Sequence, residues 1–173
     1  LEDECSLLKR SVKLLVKESN WEYSAPTIPR SHWEDSTHYD EDVIDSFVKV
    51  KPAGGIGDLI IGKNTIINSG CVFYTGNGIK IGDYVAIAAN CTFAPVNHEY
   101  QDKNTLIMKQ GFRESKGGIF IEDDVWIGAN CILLDGSYVK KGSVIGAGSI
   151  VRGEVEAFSI NVGNPLVCIG YRE

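Results

Sequence analysis

The sequence predicts an all-β protein whose short strands stack in parallel as a coil. Three observations carry this: a period of six residues, a second column of small residues in the same register, and an array that resumes after interruption. Written in sixes, residues 121–156 read IEDDVW, IGANCI, LLDGSY, VKKGSV, IGAGSI and VRGEVE. The first position holds Ile121, Ile127, Leu133, Val139, Ile145 and Val151, and the fifth holds Val125, Cys131, Ser137, Ser143, Ser149 and Val155. About a quarter of the chain is Ile, Leu or Val, so six such residues in register by accident is on the order of a one-in-several-thousand event. The pattern occurs earlier as IGKNTI, INSGCV and FYTGNG over 61–78, slips by two residues, and continues as IGDYVA, IAANCT and FAPVNH over 81–98. An excursion over 99–120 interrupts the array without destroying it, as a surface loop on a repeat scaffold would.

A period of six with two inward positions suits neither an amphipathic helix, whose apolar stripe would wander, nor simple strand alternation with its period of two. It suits a short strand and a corner, repeated. The first position fills the interior and the fifth tucks a small side chain beneath the next corner. Three such strands close one triangular coil, so side chains three repeats apart stack on one edge. Each coil hydrogen-bonds to the next, and only the end strands need covers.

The chain ends supply candidate covers. Residues 2–19 carry Leu8, Val12, Leu15 and Val16 at helical spacing, which predicts a short amphipathic N-terminal helix. Residues 20–42, with Pro26, Pro29, Trp21, Trp33 and many polar residues, read as an irregular connection. The expected organisation is an N-terminal helix and cap over 1–54, then a β-helical domain over 55–173 that ends in a C-terminal cap. A formal charge of −6 argues against partners made of phosphate backbone or anionic lipid. No apolar run is long enough to span a bilayer, and no secretory signal is visible. The five cysteines show no C-x-x-C spacing, and three of them (Cys71, Cys91 and Cys131) fall in the small-residue column, so core packing in a reducing cytoplasm is the expected role.

These blocks resemble the hexapeptide-repeat acyltransferases, whose fold is a left-handed parallel β-helix. The likeness runs over roughly residues 55–172. IEDDVWIGANCILL, VIGAGSIV and VGNP bring it nearest the galactoside, maltose and polysaccharide O-acetyltransferase branch. The resemblance implies acetyl-CoA as co-substrate, a homotrimer, and direct acetyl transfer to a sugar hydroxyl in bacterial surface polysaccharide synthesis. N-acetylation of a nucleotide-linked amino sugar is the alternative, and a non-catalytic scaffold is the remaining one.

His98 is the main candidate for chemistry. It ends FAPVNH at an outward sixth position, immediately before the excursion, where the resembling enzymes carry their general base. A neutral imidazole suits that role near pH 7. The resemblance also implies that a carboxylate, Glu114, orients His98, with Glu99 or a backbone carbonyl as other candidates. It further implies that Asn68, set ahead of Ile81 as the acceptor-binding asparagine of that branch is, contacts the acceptor. Ala129 and Ala147 lie 18 apart in matching I-G-A contexts and so stack on one edge, which in the resembling enzymes lines the CoA channel. Trp126 also falls at an outward sixth position and is expected to meet a neighbouring subunit or the pantetheine arm.

The usual basic residue of the C-terminal N-P-A-K/R-V-I block is replaced by Val167 in NPLVCI. Arg152, Lys140, Lys141 and Arg172 are left to hold the CoA phosphates. No His, Asp, Glu or Cys cluster has metal-ligand spacing. VIGAGSI lacks the Lys-Ser/Thr ending of a phosphate loop, and the chain has no G-x-S-x-G nucleophile motif.

Overall fold

The computed structural model describes residues 15–16 and 43–173. Among them eighteen strands, numbered here in chain order as β1–β18, form three sheets that make the three sides of a parallel solenoid. Face A stacks β1 (Leu15–Val16), β4 (Leu59–Ile61), β7 (Ile79–Ile81), β10 (Ile119–Ile121), β13 (Ser137–Val139) and β16 (Glu154–Val155). Face B stacks β2 (Val43–Ile44), β5 (Ile66–Ile67), β8 (Ala86–Ile87), β11 (Trp126–Ile127), β14 (Val144–Ile145) and β17 (Ser159–Val162). Face C stacks β3 (Lys49–Lys51), β6 (Val72–Tyr74), β9 (Thr92–Ala94), β12 (Ile132–Leu134) and β15 (Ile150–Val151). The chain runs A to B to C and round again. The final strand β18 (Val167–Tyr171) turns back antiparallel on β17 and covers that edge of face B.

The first-position residues become three buried columns. Face A contributes Ile61, Ile81, Ile121, Val139 and Val155; face B contributes Ile67, Ile87, Ile127 and Ile145; face C contributes Phe73, Phe93, Leu133 and Val151. All are almost fully excluded from solvent, and the Phe73 and Phe93 rings stack with centroids 4.4 Å apart. The fifth-position residues sit under the corners. Ser143 and Ser149 donate to the carbonyls of Lys140 and Gly146, while the Cys71, Cys91 and Cys131 thiols contact the carbonyls of Ala88, Gly128 and Gly146. The neighbouring thiols of Cys131 and Cys71, together with burial, push Cys91 far above the ordinary cysteine range. The strands are short because each corner needs a residue with left-handed backbone. Asn90, Asn130 and Gly148 fill that place at successive B–C corners with φ of 62°, 60° and 73°.

The ladder register locates each interruption. Ile119 pairs with Ser137, 18 positions on, whereas Ile79 pairs with Ile119, 40 positions on, so the whole excursion falls within one coil. Ile119 and Phe120, counted in the loop on sequence grounds, are the first residues of β10, and the loop runs over 95–118. The two-residue slip appears as the pairing of Leu59 with Ile79.

The last coil corrects the sequence reading. Val139 pairs with Val155 and not with Ala157, as a coil of regular length would require. Val155 therefore joins the first-position column of face A and not the small-residue column. The same shortening brings Ser159 under the next corner, where it donates to the Glu156 carbonyl. It also places buried Asn161 beside Ile145 in the face B column. Asn161 satisfies its amide there by donating to Ser159 Oγ at 2.7 Å.

The ladders reach back to Val43, so paired strands lie on both sides of residue 54. Most of the helix expected over 2–19 lies outside the described residues, as do Cys5, His32 and His38. The two residues of it that are described, Leu15–Val16, are strand and pair with Ile60 and Ile61.

Candidate functional site

The loop leaves the C–A edge after β9. The Asn77 amide donates to the Pro95 carbonyl at 2.6 Å and ties the departing chain to the coil before it. Residues 97–99 and 111–113 then form a short antiparallel neck. The Arg113 N–H donates to the Asn97 carbonyl at 2.9 Å, the Glu99 N–H donates to Gly111 at 3.0 Å, and His98 sits opposite Phe112 between them. The two rings pack with centroids 4.7 Å apart and planes tilted by 33°. Phe112 in turn lies so close to Gly54 that a methyl group there would come within 3.0 Å of its ring. His98 is therefore an exposed imidazole whose ring rests on Phe112, itself 45% exposed.

Neither carboxylate expected to orient His98 bonds to it among the described residues. The Glu99 carboxylate accepts the N–H groups of Tyr100 and Gln101 at 2.8 and 3.0 Å and pairs with Arg113 at 3.3 Å. The Gln101 and Tyr100 N–H groups, aided by Arg113, hold its pKa below the ordinary carboxylate value. The Arg113 guanidinium lies 4.2 Å from the Tyr100 ring centroid, which completes the lock at the neck. Glu114 is exposed, and no hydrogen bond or ion pair joins it to His98 among the described residues.

Beyond the neck the loop closes on itself. Asp102 accepts from the Asn104 N–H and the Thr105 hydroxyl, and the Gln110 amide donates to the carbonyls of Asp102 and Thr105. A single helical turn, α1 (Ile107–Gln110), finishes the tip, with Leu106, Ile107 and Met108 exposed.

Asn68, Ala129 and Ala147 all lie on a different edge, the B–C corner. The backbone ladder links that corner from coil to coil: the Gly148 N–H donates to the Ala129 carbonyl at 2.8 Å. The corner is closely packed, since a methyl at Gly128 would stand 2.5 Å from the Ala147 nitrogen. The Asn68 amide donates to the Ile87 carbonyl at 2.9 Å, so it staples this corner to the next coil as well as facing outward. Trp126 stands on face B between Ala86 and Val144, with 54% of its surface exposed.

Arg152 is exposed at the C–A corner between β15 and β16, an edge away from Ala129 and Ala147. Of the other candidate cations, Lys140 pairs with Glu154 and Glu156, and Arg172 pairs with Asp124 at 3.0 Å. Within one chain, then, His98 occupies one edge and the proposed donor channel another, with face C between them. Two cavities of about 360 and 200 Å³ lie along face A on either side of Gly117, and neither is lined by His98, Asn68, Ala129 or Ala147.

Several residues that build this region carry no signal in the repeat. Phe112, Arg113 and Asp135 are visible only once the loop is folded. The one hint in the sequence is that Asp135 stands in a corner of the array, LLDGSY, where an acidic residue has no packing role. No group of three or more His, Cys, Asp or Glu among the described residues is arranged to hold a metal ion, and no helix among them is long and apolar enough to cross a membrane.

Comparison with known proteins bears on both repeat and fold. Residues 118–153 match the bacterial transferase hexapeptide (six repeats), and residues 58–92 match the hexapeptide repeat of succinyl-transferase. The chain is 32% identical over 117 residues to the probable acetyltransferase Rv3034c of Mycobacterium tuberculosis. That match takes in 68% of this chain and 38% of the relative, so the chain spans well under half of that protein's length. It is 28% identical over 142 residues to the dTDP-4-amino-4,6-dideoxy-D-glucose acyltransferase of Escherichia coli, covering 68% of this chain and 74% of the other. The hexapeptide-repeat-containing acetyltransferase VCA0836 of Vibrio cholerae, solved with acetyl coenzyme A, superposes with a TM-score of 0.70 at 22% identity over 100% of this chain and 80% of that one. The two matched stretches lie within the six-residue array that winds the three-sided parallel solenoid, so this chain carries a hexapeptide repeat similar to that of the bacterial transferases.

Proposed function

We propose that the protein is an acetyl-CoA-dependent acetyltransferase whose acceptor is a sugar hydroxyl, with His98 as general base. The observation that carries the reading is His98 itself. It is an exposed imidazole at the root of the long insertion between paired coils, with its ring set against Phe112. The acetyltransferase and sugar acyltransferase relatives support the class of reaction.

In the proposed step, a ring nitrogen of neutral His98 takes the proton of the acceptor hydroxyl as its oxygen attacks the thioester carbonyl. The tetrahedral oxyanion is met by a backbone N–H at a coil corner. Collapse breaks the C–S bond, and the imidazolium returns its proton to the departing CoA sulfur. The step needs no covalent enzyme intermediate.

Because His98 and the Asn68–Ala129–Ala147 corner lie on different edges of one solenoid, the reading includes a homotrimer. In it, His98 of one subunit faces the B–C edge of the next, and Trp126 on face B lies in the contact. Surface polysaccharide synthesis in the cytoplasm is the proposed setting. A second reading, N-acylation of a nucleotide-linked amino sugar, is favoured by the Escherichia coli relative. For that acceptor the loop offers exposed Lys103, Lys109 and Lys116, while Arg113 is already engaged by Glu99.

Purified protein assayed with acetyl-CoA against sugars, amino sugars and nucleotide sugars separates the two readings. His98→Ala should lower turnover about 10²–10⁴-fold, the range for losing a general base, with folding and CoA binding nearly unchanged. Release of CoA thiol at close to the parent rate would remove His98 from the mechanism.

A further inference from the structure

We propose that Asp135 is a positioning residue that clamps the return limb of the loop and so holds Phe112 against His98. This rests on the general-base reading above. Asp135 follows β12 at the C–A corner, one coil beyond the one from which the loop departs. Its carboxylate reaches back across the coil to the loop's foot. The Lys116 N–H donates to Oδ2 at 2.7 Å, the Gly118 N–H donates to Oδ1 at 2.9 Å, and the Ser115 hydroxyl donates to Oδ1 at 3.1 Å. Ser115 Oγ also accepts the Gly117 N–H at 3.0 Å, and the Gly136 N–H donates to the Gly118 carbonyl at 2.7 Å. One carboxylate thus satisfies donors from three of four consecutive residues, a geometry that charge-assisted hydrogen bonds favour.

The limb between the two anchors is short. Arg113 is fixed at the neck by the Asn97 carbonyl and the Glu99 carboxylate, and Ser115 and Lys116 are fixed at the foot by Asp135. Glu114 lies between them, so its backbone is held from both sides while its side chain faces solvent. Phe112 is the next residue inward, and its ring is the surface on which His98 rests. An excursion of this length would otherwise sample many arrangements at its foot, because it contributes little to the buried columns. The clamp removes that freedom without touching the reacting atoms.

The chemistry of the side chain provides a graded test. Asp135→Ala removes all three acceptors. Asp135→Asn keeps one oxygen for Gly118 and Ser115 but turns an NH2 group toward the Lys116 N–H, so its effect should be intermediate. In the full chain, trypsin should cleave after Lys116, at the clamped foot, at least about tenfold faster in Asp135→Ala, as a segment released from a local anchor does. Melting of the solenoid should move by no more than a few degrees, because the buried columns are untouched. Turnover should fall by about ten- to a hundredfold at an unchanged KM for acetyl-CoA, the scale of a small misplacement of a catalytic group.

An unchanged cleavage rate in Asp135→Ala would overturn the clamp. Faster cleavage at an unchanged turnover would overturn the positioning role, and a large fall in melting temperature would replace it with a general structural one. Activity in His98→Ala would sink the general-base reading and with it the positioning role, while the clamp would stand or fall separately, because the cleavage comparison does not depend on turnover.

Discussion

The coils and the loop are built on opposite principles, although they belong to one winding of the chain. From β4 to β14 the strands repeat one arrangement. An aliphatic or aromatic side chain points in, most corners are filled by a small one, and the backbone pairs with the coil above and below. Stability there is collective and apolar. In residues 95–118 almost nothing is buried. Order comes instead from individual carboxylates: Glu99 at the neck, Asp102 at the tip and Asp135 at the foot. Apolar columns tolerate substitution of one aliphatic by another, whereas each carboxylate makes contacts that no neighbour duplicates. The solenoid is therefore a regular edge against which the loop is set at a few points.

Substitutions in the two regions should separate accordingly. The largest effect on stability is expected in the columns. Phe93→Ala removes a fully buried ring stacked on Phe73 and should cost about 3–5 kcal/mol, measured by denaturant unfolding. A loss below about 1 kcal/mol would mean that the columns do not carry the fold.

A smaller effect, on binding and not on folding, is expected at the proposed donor edge. Ala147 is exposed at its corner, so Ala147→Trp should leave melting nearly unchanged. It should weaken acetyl-CoA binding by about 1–3 kcal/mol through steric exclusion. Normal affinity by calorimetry would move the donor channel to another edge.

The smallest effect is expected at the neck. The Glu99 carboxyl titrates below its ordinary value when folded, so its contribution is present above the unfolded-state pKa. That contribution is lost as pH falls through the lower folded-state value. Below the ordinary carboxylate range, hydrogen exchange of the Tyr100 and Gln101 amides should accelerate relative to their intrinsic rates, while amides in β11 and β14 stay protected. Glu99→Gln should abolish the pH dependence of that difference. Its persistence in Glu99→Gln would assign the lock to another group.

How much of this is legible in the sequence follows the same division. The inward columns, the corner cysteines and outward Trp126 are read directly, because a period of six leaves each residue type one permitted place. The position of the insertion is legible to within two residues at its C-terminal end, since Ile119 and Phe120 look like loop until Ile119 is paired with Ile79 and Ser137. The last coil misleads at Val155. Valine fits the fifth position, as buried Val125 does, nearly as well as the first, and only the pairing with Val139 reveals the shift.

What the sequence determined by itself is thus the local repeat, because burial of every sixth side chain is a property of neighbouring residues. Tertiary structure alone decided which edge each candidate occupies, that Glu99 binds Arg113 and not His98, and that Asp135 holds the foot of the loop. Those contacts join residues 14 to 20 positions apart, from a guanidinium, a hydroxyl and backbone N–H groups to carboxylates. Such pairings leave no periodic trace, because any residue but proline presents an N–H and only the folded path brings a particular one to the acceptor.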